Sequence, residues 1–463
     1  MINKSQGQTY TERLLSDMCE NTFLKAWSFA NPINKDKKEF CDLVAIFENH
    51  MFIFFDREKQ IKSDFLEKSE LTWNRWYKEV IVKQINTCNG AARYINNGGE
   101  LYLDADLKTK LPIPYDFSSI KIHKFIIAHG AKLACEQASE SNINGSLGII
   151  YADQIEQQKT HSLFTISLNR ENPVHILDSH NFPIIFKELD TFYDFTEFII
   201  AKEKAILKYN YLSYCGEEDL LAHYYLNFDE NVNSHFIGSK EEKFDGILIG
   251  EGEWNDFIKT PAYKSKKDAD EISYLWDNLI QKTCDNALKG VLGGNSNLFS
   301  GDSAIYEMAK EPRFSRRAIS ESMINAINNF PVNNNPIVRY LSFMPSFYKN
   351  KGYIFLQLKA EVKNNDYSEY REVRRNMLEL ACGVAKNKFP NLEVIIGIAV
   401  EPPKLYRNLS EDFVLLDCSK WTRQESEYYD KQNKETGLNF FNTPQAKTFK
   451  KDVKNFPNEK IKE

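Results

Sequence analysis

FENHMFIFFDREKQ, residues 47–60, decides the fold. The apolar run Met51–Phe55 reads as a strand buried on both faces, yet it leaves its core through Asp56-Arg57-Glu58-Lys59 and not through a glycine or an asparagine. Upstream, FCDLVAIF (40–47) has the same texture, and Glu48-Asn49-His50 separates the two runs as a turn. With the turn centred on Asn49, Asp42 and Asp56 lie equally far from it and are expected directly opposite each other in an antiparallel ladder. Side chains alternate along a strand, so Glu58 is expected on the face of Asp56 and Arg57 on the other. Carboxylates gathered at one end of an apolar hairpin repel unless something neutralises them.

A hard divalent cation bound by oxygens is the natural neutraliser. A magnesium ion held by two or three carboxylates polarises a phosphoryl oxygen and lowers the pKa of a bound water. A nearby lysine or a further carboxylate then orients that water, which is the minimal equipment of a phosphodiesterase.

Outward from the hairpin, residues 9–29 carry helical periodicity, with Leu15, Cys19, Thr22, Phe23 and Ala26 on one face and Asn31-Pro32 as the stop. Thr9 and Glu12 have capping-box spacing, and Glu12 also lies beside the apolar face, where it can point at the sheet. Residues 73–96 predict a second amphipathic helix, closed by Asn97-Gly98-Gly99. Residues 101–107 and 120–130 predict further strands.

A helix with an early Glu, a strand opening with Asp, a turn, a strand ending in an acidic unit, then a helix and a strand: this pattern resembles the PD-(D/E)XK nuclease superfamily. The matching residues are Glu12, Asp42 and Asp56-Arg57-Glu58, and the resemblance spans about residues 9–130. KEFCDLVAIFENHMFIFFDRE is also similar to the nuclease-like N-terminal part of bacterial proteins associated with phage defence. The resemblance implies metal-dependent hydrolysis of DNA, less often RNA, with Mg²⁺ (or Mn²⁺) on Asp42, Asp56 and Glu12. The family usually has lysine where this chain has Glu58. The implied catalytic set is therefore Asp42, Asp56, Glu58 and Glu12, with Lys59 or Lys83 supplying the ammonium, and Gln84 lies where some members carry a glutamine near the site. A bare nuclease is toxic, so a protein partner or a homo-oligomer is expected to control it. The alternative is a catalytically degenerate member that binds nucleic acid or another subunit.

The whole chain bounds this reading. At 463 residues and 42% hydrophobic content it is globular, of mixed α/β (α+β) class. The expected organisation is a restriction-endonuclease-like αβ core over 1–135, a mixed α/β region over 136–262, a helical region over 263–332 and an α/β region over 333–463. A net charge of −6 excludes a chain coated in basic charge but not a local basic groove. Lys35, Lys37 and Lys38 flank the acidic site, and Arg313, Arg316 and Arg317 open a helix with an interleaved aromatic; both clusters are candidate nucleic-acid contacts. The eight cysteines are scattered without a C-x-x-C pair, which argues against a disulfide framework or a zinc knuckle and for a reduced, cytoplasmic protein. The apolar runs are too short to span a bilayer, so no membrane association is expected. VHILDSH (174–180) offers two histidines and an aspartate, but His175 and Asp178 fall on opposite faces of a strand. Cys215 is a candidate nucleophile only if a histidine lies beside it. No phosphate-binding glycine loop is present.

Overall fold

The computed structural model describes residues 2–61, 69–113, 116, 119–138, 144–153, 162–241, 244–290, 303–361, 366–406, 410–442 and 454–456. Most of the loop GGNSNLFSGDS and of the polar C-terminal tail lies outside them. The chain forms two compact units: Met1–Lys264 with Cys284–Val291, and Ser265–Thr283 with Leu292–Glu463. Both mix helices with sheets, so the α/β class holds for each. Among the described residues no helix is long and apolar enough to cross a membrane.

In the first unit the elements run α1 (Tyr10–Thr22), β1 (Ser28–Ala30), β2 (Ile33–Asn34), β3 (Leu43–Phe47), β4 (His50–Glu58), α2 (Ser69–Trp76), a π-helical turn (Tyr77–Val82) and α3 (Lys83–Asn96). They continue as β5 (Leu101–Tyr102), β6 (Lys121–His129), α4 (Lys132–Ala138), β7 (Gly148–Ala152), β8 (Thr165–Asn169), β9 (His175–Asp178), α5 (Asn181–Glu188), α6 (Phe192–Lys208), β10 (Tyr211–Tyr214) and α7 (Glu217–Leu226). The main sheet has the order β1-β3-β4-β6-β9. Its first three strands are antiparallel neighbours, while β4, β6 and β9 run parallel. The 136–262 stretch thus supplies β9 to the sheet of the N-terminal region and folds with it.

The opening stretch forms the centre of this sheet. Met51–Phe55 is buried throughout because β4 is covered on both faces. On one face Phe52 and Phe54 meet Phe23 at the end of α1, at 5.2 and 6.1 Å between ring centroids, and Phe195 of α6 meets Phe52 at 5.5 Å. Each such ring contributes roughly 1.5–3 kcal/mol by burial. On the other face lies the helical segment α2–α3, where Trp73 stacks on Trp76 at 5.0 Å and the Trp76 indole donates to the His129 carbonyl at 3.2 Å. The π-helical turn at Tyr77–Val82 interrupts what the sequence predicts as one α-helix.

The hairpin register differs from the expected one by a single residue. Leu43 faces Phe54 and Phe47 faces His50, so the turn is the two residues Glu48-Asn49 and not three. Glu48 adopts φ +53°, the left-handed backbone that a tight hairpin turn demands at its first position. Asp42 consequently lies just outside the ladder, its N–H donating to the Phe54 carbonyl at 3.1 Å, and is not directly opposite Asp56.

The second unit holds a four-stranded sheet of Ile337–Pro345, Lys351–Ala360, Val394–Val400 and Glu411–Asp417 in that order. The helix Tyr367–Lys388 buries Leu378, Ala381, Cys382 and Ala385 against Ile354, Leu356, Ile395 and Ala399 of this sheet.

Candidate functional site

The parallel strands β4, β6 and β9 end together, and their C-terminal ends carry Asp56, His129 and Asp178-Ser179. Open α/β sheets commonly bind ligands at such an edge. Asp56 has an even position in β4 and so faces α1, where Thr11 donates to its Oδ2. Its Oδ1 lies 2.9 Å from His129 Nε2, off the line of a hydrogen bond, and is buried without a donor among the described residues. Asp42 reaches across the one-residue offset, and its Oδ2 accepts the Asp56 N–H at 2.6 Å. The two expected aspartates are therefore neighbours, both largely buried, at the exit of the apolar hairpin.

Burial pushes the Asp42 carboxyl up to about 7; the Asp56 N–H and Arg57 pull it down, while Glu39 and Glu12 push it further up. Its folded value thus exceeds the ordinary one near 3.9. The folded state binds this proton more tightly, so Asp42 adds stability as pH falls through 7 and withdraws it as pH rises. We expect metal-free protein to gain about 1.4 kcal/mol from this group between pH 8 and 6. Denaturant melts of wild type and Asp42→Asn at both pH values check this. The variant should lose that part of the slope and keep the larger part due to Glu218, which burial and the charge of Asp178 raise to about 8.

The remaining expected residues are placed less uniformly. Glu12 Oε2 accepts the Gln8 N–H at 2.7 Å and Asn31 Nδ2 at 3.3 Å, and Asn31 also donates to Glu39 at 2.7 Å, so Glu12 and Glu39 are tied into one acidic corner. Thr9 caps the helix by accepting the Glu12 N–H at 3.2 Å. Glu58 does not join Asp42 and Asp56: it is exposed, holding Gln60 Nε2 at 3.0 Å. Lys59 is exposed, and Lys83 pairs with Glu79 at 2.6 Å on the outer face of α3. Gln84 is buried on α3, over the opposite face of the sheet from Asp56, with Oε1 lacking a donor among the described residues. Lys35, Lys37 and Lys38 sit exposed on the turn after β2, gathered by the Asn34 side chain, which accepts the Asp36 and Lys38 N–H groups.

Arg313, Arg316 and Arg317 are not available to nucleic acid, which corrects the sequence reading. All three are buried in the second unit. Arg313 and Arg316 each reach Asp277 at 2.5 Å, and Arg317 reaches Asp270 at 3.1 Å. A basic cluster on a helix looks the same in sequence whether solvent or carboxylates of the fold satisfy it. Cys215 fares no better as a nucleophile: burial and the charges of Asp219, Glu251 and Glu218 raise its thiol, the reverse of activation.

Sequence reasoning missed Thr11, His129 and Ser179. His129 Nδ1 lies 2.9 Å from Ser179 Oγ, which completes a Ser179–His129–Asp56 chain. That order matches nucleophile, base and orienting acid. However, the N–H of His180, the group next to the serine that would stabilise an oxyanion, is spent on Asp178 Oδ1 at 2.8 Å, and the Asn181 N–H on the same oxygen at 3.0 Å. No local signal in the sequence marks this chain, because its members come from three strands. Compared with family models, with curated proteins and with solved structures, the chain matches none.

Proposed function

We propose that the first unit is a metal-dependent nuclease that hydrolyses DNA phosphodiester bonds. The carrying observation is the adjacency of Asp42 and Asp56 at the exit of the β3–β4 hairpin. The order of elements around them supports the reading: a helix, the antiparallel hairpin β3–β4, a helical segment and a parallel strand follow in the order that the PD-(D/E)XK resemblance implies, with the short strands β1 and β2 added before the hairpin.

The donor set fits Mg²⁺. It offers hard carboxylate oxygens, and Asp56 Oδ1 is a buried acceptor without a donor among the described residues. Magnesium typically takes one or two carboxylates and keeps several waters, so this pair suffices without a full protein cage. When bound, the ion supplies Lewis-acid polarisation of the phosphoryl group and a more acidic water. The chain's own residues do the rest. Thr11 and the Asp56 N–H fix the two carboxylates in place. Glu12, engaged with Gln8 and Asn31, is a positioning residue that keeps negative charge beside Asp42. Glu58 is exposed at the strand end and bonded to Gln60, so it is not placed as a base beside the two aspartates. Lys35, Lys37 and Lys38 contribute phosphate contacts, and control comes from a partner or from assembly.

The test is cleavage of plasmid and linear DNA with Mg²⁺ or Mn²⁺, with and without proteins encoded beside the gene. Metal-dependent nicking supports the nuclease. DNA binding without cleavage under every condition supports the second reading, a degenerate nuclease-fold subunit. That reading is favoured by one observation: Lys83 is paired with Glu79, Lys59 is exposed, and Glu58 stands where the family carries lysine. Ser179→Ala separates both from a serine hydrolase. We expect unchanged DNA cleavage in this variant, measured as the rate of supercoiled plasmid loss; a fall of 100-fold or more, on the order of a lost nucleophile or base, would assign the chemistry to the Ser179–His129 pair.

A further inference from the structure

The opposite end of the same parallel strands carries a second constellation. His123 near the start of β6, His175 at the start of β9 and Glu203 on α6 bring three potential ligand atoms within 4.8 Å of one another. His123 Nδ1 lies 2.8 Å from Glu203 Oε1, and His175 Nε2 lies 3.2 Å from the same oxygen. No other group of three such ligands is found among the described residues. Along β6, six residues separate His123 from His129, about 20 Å at strand rise, so this end is distinct from the Asp42–Asp56 end.

We propose that His123, His175 and Glu203 hold one divalent transition-metal ion. Three features argue for it. First, the donor set of two imidazoles and one carboxylate suits Zn²⁺, Fe²⁺ or Co²⁺ and not Mg²⁺ or Ca²⁺. Second, the two spacings to Glu203 suit the ion: ligands at about 2.0–2.1 Å around a tetrahedral zinc stand about 3.3 Å apart, so the 2.8 and 3.2 Å separations need only slight expansion, with the two imidazole nitrogens within 4.8 Å of each other. Third, the rings are pre-set. His123 is stacked on Phe52 at 4.8 Å and on His50 at 5.2 Å, and His175 rests on Phe125 at 4.8 Å. The far nitrogen of His123 lies 2.9 Å from His50 Nδ1, the outer-shell bond that orients a ligating imidazole.

Both histidines are almost fully buried while the Glu203 side chain is 28% exposed, so one side of the triad opens to solvent. Three protein ligands with an open position is the pattern of a site that keeps water or takes a substrate, not of a closed structural site. The proposal stands independently of magnesium at Asp42 and Asp56.

The probe is Zn²⁺ alone, titrated calorimetrically into full-length protein stripped by chelator, with Mg²⁺ in excess to occupy oxygen sites. We expect one Zn²⁺ per chain in wild type. Glu203→Gln should abolish measurable binding, and His50→Phe, which keeps the stack and removes the outer-shell bond, should weaken it about 10–100-fold. Cys215→Ser, removing the one cysteine that is not buried, should change nothing. Circular dichroism melts establish that each variant folds; if Glu203→Gln does not, His50→Phe carries the test. Absence of stoichiometric Zn²⁺ in wild type overturns the site. So does full binding by Glu203→Gln, or binding that is lost in Cys215→Ser.

Discussion

Asp56→Ala is expected to remove Mg²⁺-dependent cleavage of plasmid DNA while leaving the chain folded. Three relationships converge on this carboxylate. It supplies the buried oxygen, Oδ1, which has no hydrogen-bond donor among the described residues and lies 2.9 Å from His129 Nε2, and on which the proposed metal site turns. Its Oδ2 takes the Thr11 hydroxyl, tying α1 to the sheet edge. Its backbone N–H holds Asp42 in place, and that bond survives the substitution because the donor is main chain. The loss should therefore be chemical more than architectural. It should exceed the roughly 100-fold that removing an outer-shell partner costs a metal site. Asp56→Asn sharpens the test. It keeps the shape and an acceptor for Thr11 but removes the charge, so it should also be inactive, with a melting temperature close to wild type. Cleavage retained by both variants would refute the assignment of Asp56 as a ligand. Cleavage lost only together with folding in Ala, but kept in Asn, would make the residue a strut.

What could be read from the sequence, and what could not, follows the range of the interactions. Met51–Phe55 declares a buried strand because covering a strand on both faces requires apolar residues at every position, and that constraint is local. The proximity of Asp42 and Asp56 is likewise legible, since a hairpin fixes its own pairing. Its register was set one residue away from the expected one because Glu48 accepts a left-handed backbone, a property that no hydrophobic pattern records. Strand alternation places Glu58 on the side of Asp56, but at the end of β4 its side chain is in solvent. His129 and Ser179 were invisible for a different reason: their partners lie on separate strands, and only the parallel crossovers bring the strand ends together. His175 illustrates the same limit. Alternation correctly separates it from Asp178, but its partners are His123 on β6 and Glu203 on α6, neither marked by any spacing from it.

Arg316→Ala is expected to be the most destabilising single substitution among the basic residues singled out from the sequence. Arg316 is fully buried, and every arm of its guanidinium is used. Nη1 meets Asp277 at 2.5 Å, Nε donates to the Glu311 carbonyl at 2.8 Å, and Nη2 donates to the Ala309 carbonyl at 2.8 Å. Truncation leaves two carbonyls without their donors, a cavity, and Asp277 with Arg313 as its remaining arginine. Leaving two buried carbonyls without donors costs about 1–3 kcal/mol each, and the cavity adds to it, so the loss should be about 3–5 kcal/mol. For a unit of this size that corresponds to a fall in Tm on the order of 10 °C. Arg375→Ala, on the exposed side of the helix Tyr367–Lys388, serves as the control and should stay within about 0.5 kcal/mol of wild type. The two readings of the 313–317 cluster then part cleanly. A nucleic-acid contact predicts weaker, less salt-dependent DNA binding with stability intact. A buried network predicts the reverse, a large loss of stability and, at temperatures where the variant remains folded, an unchanged dependence of DNA binding on salt.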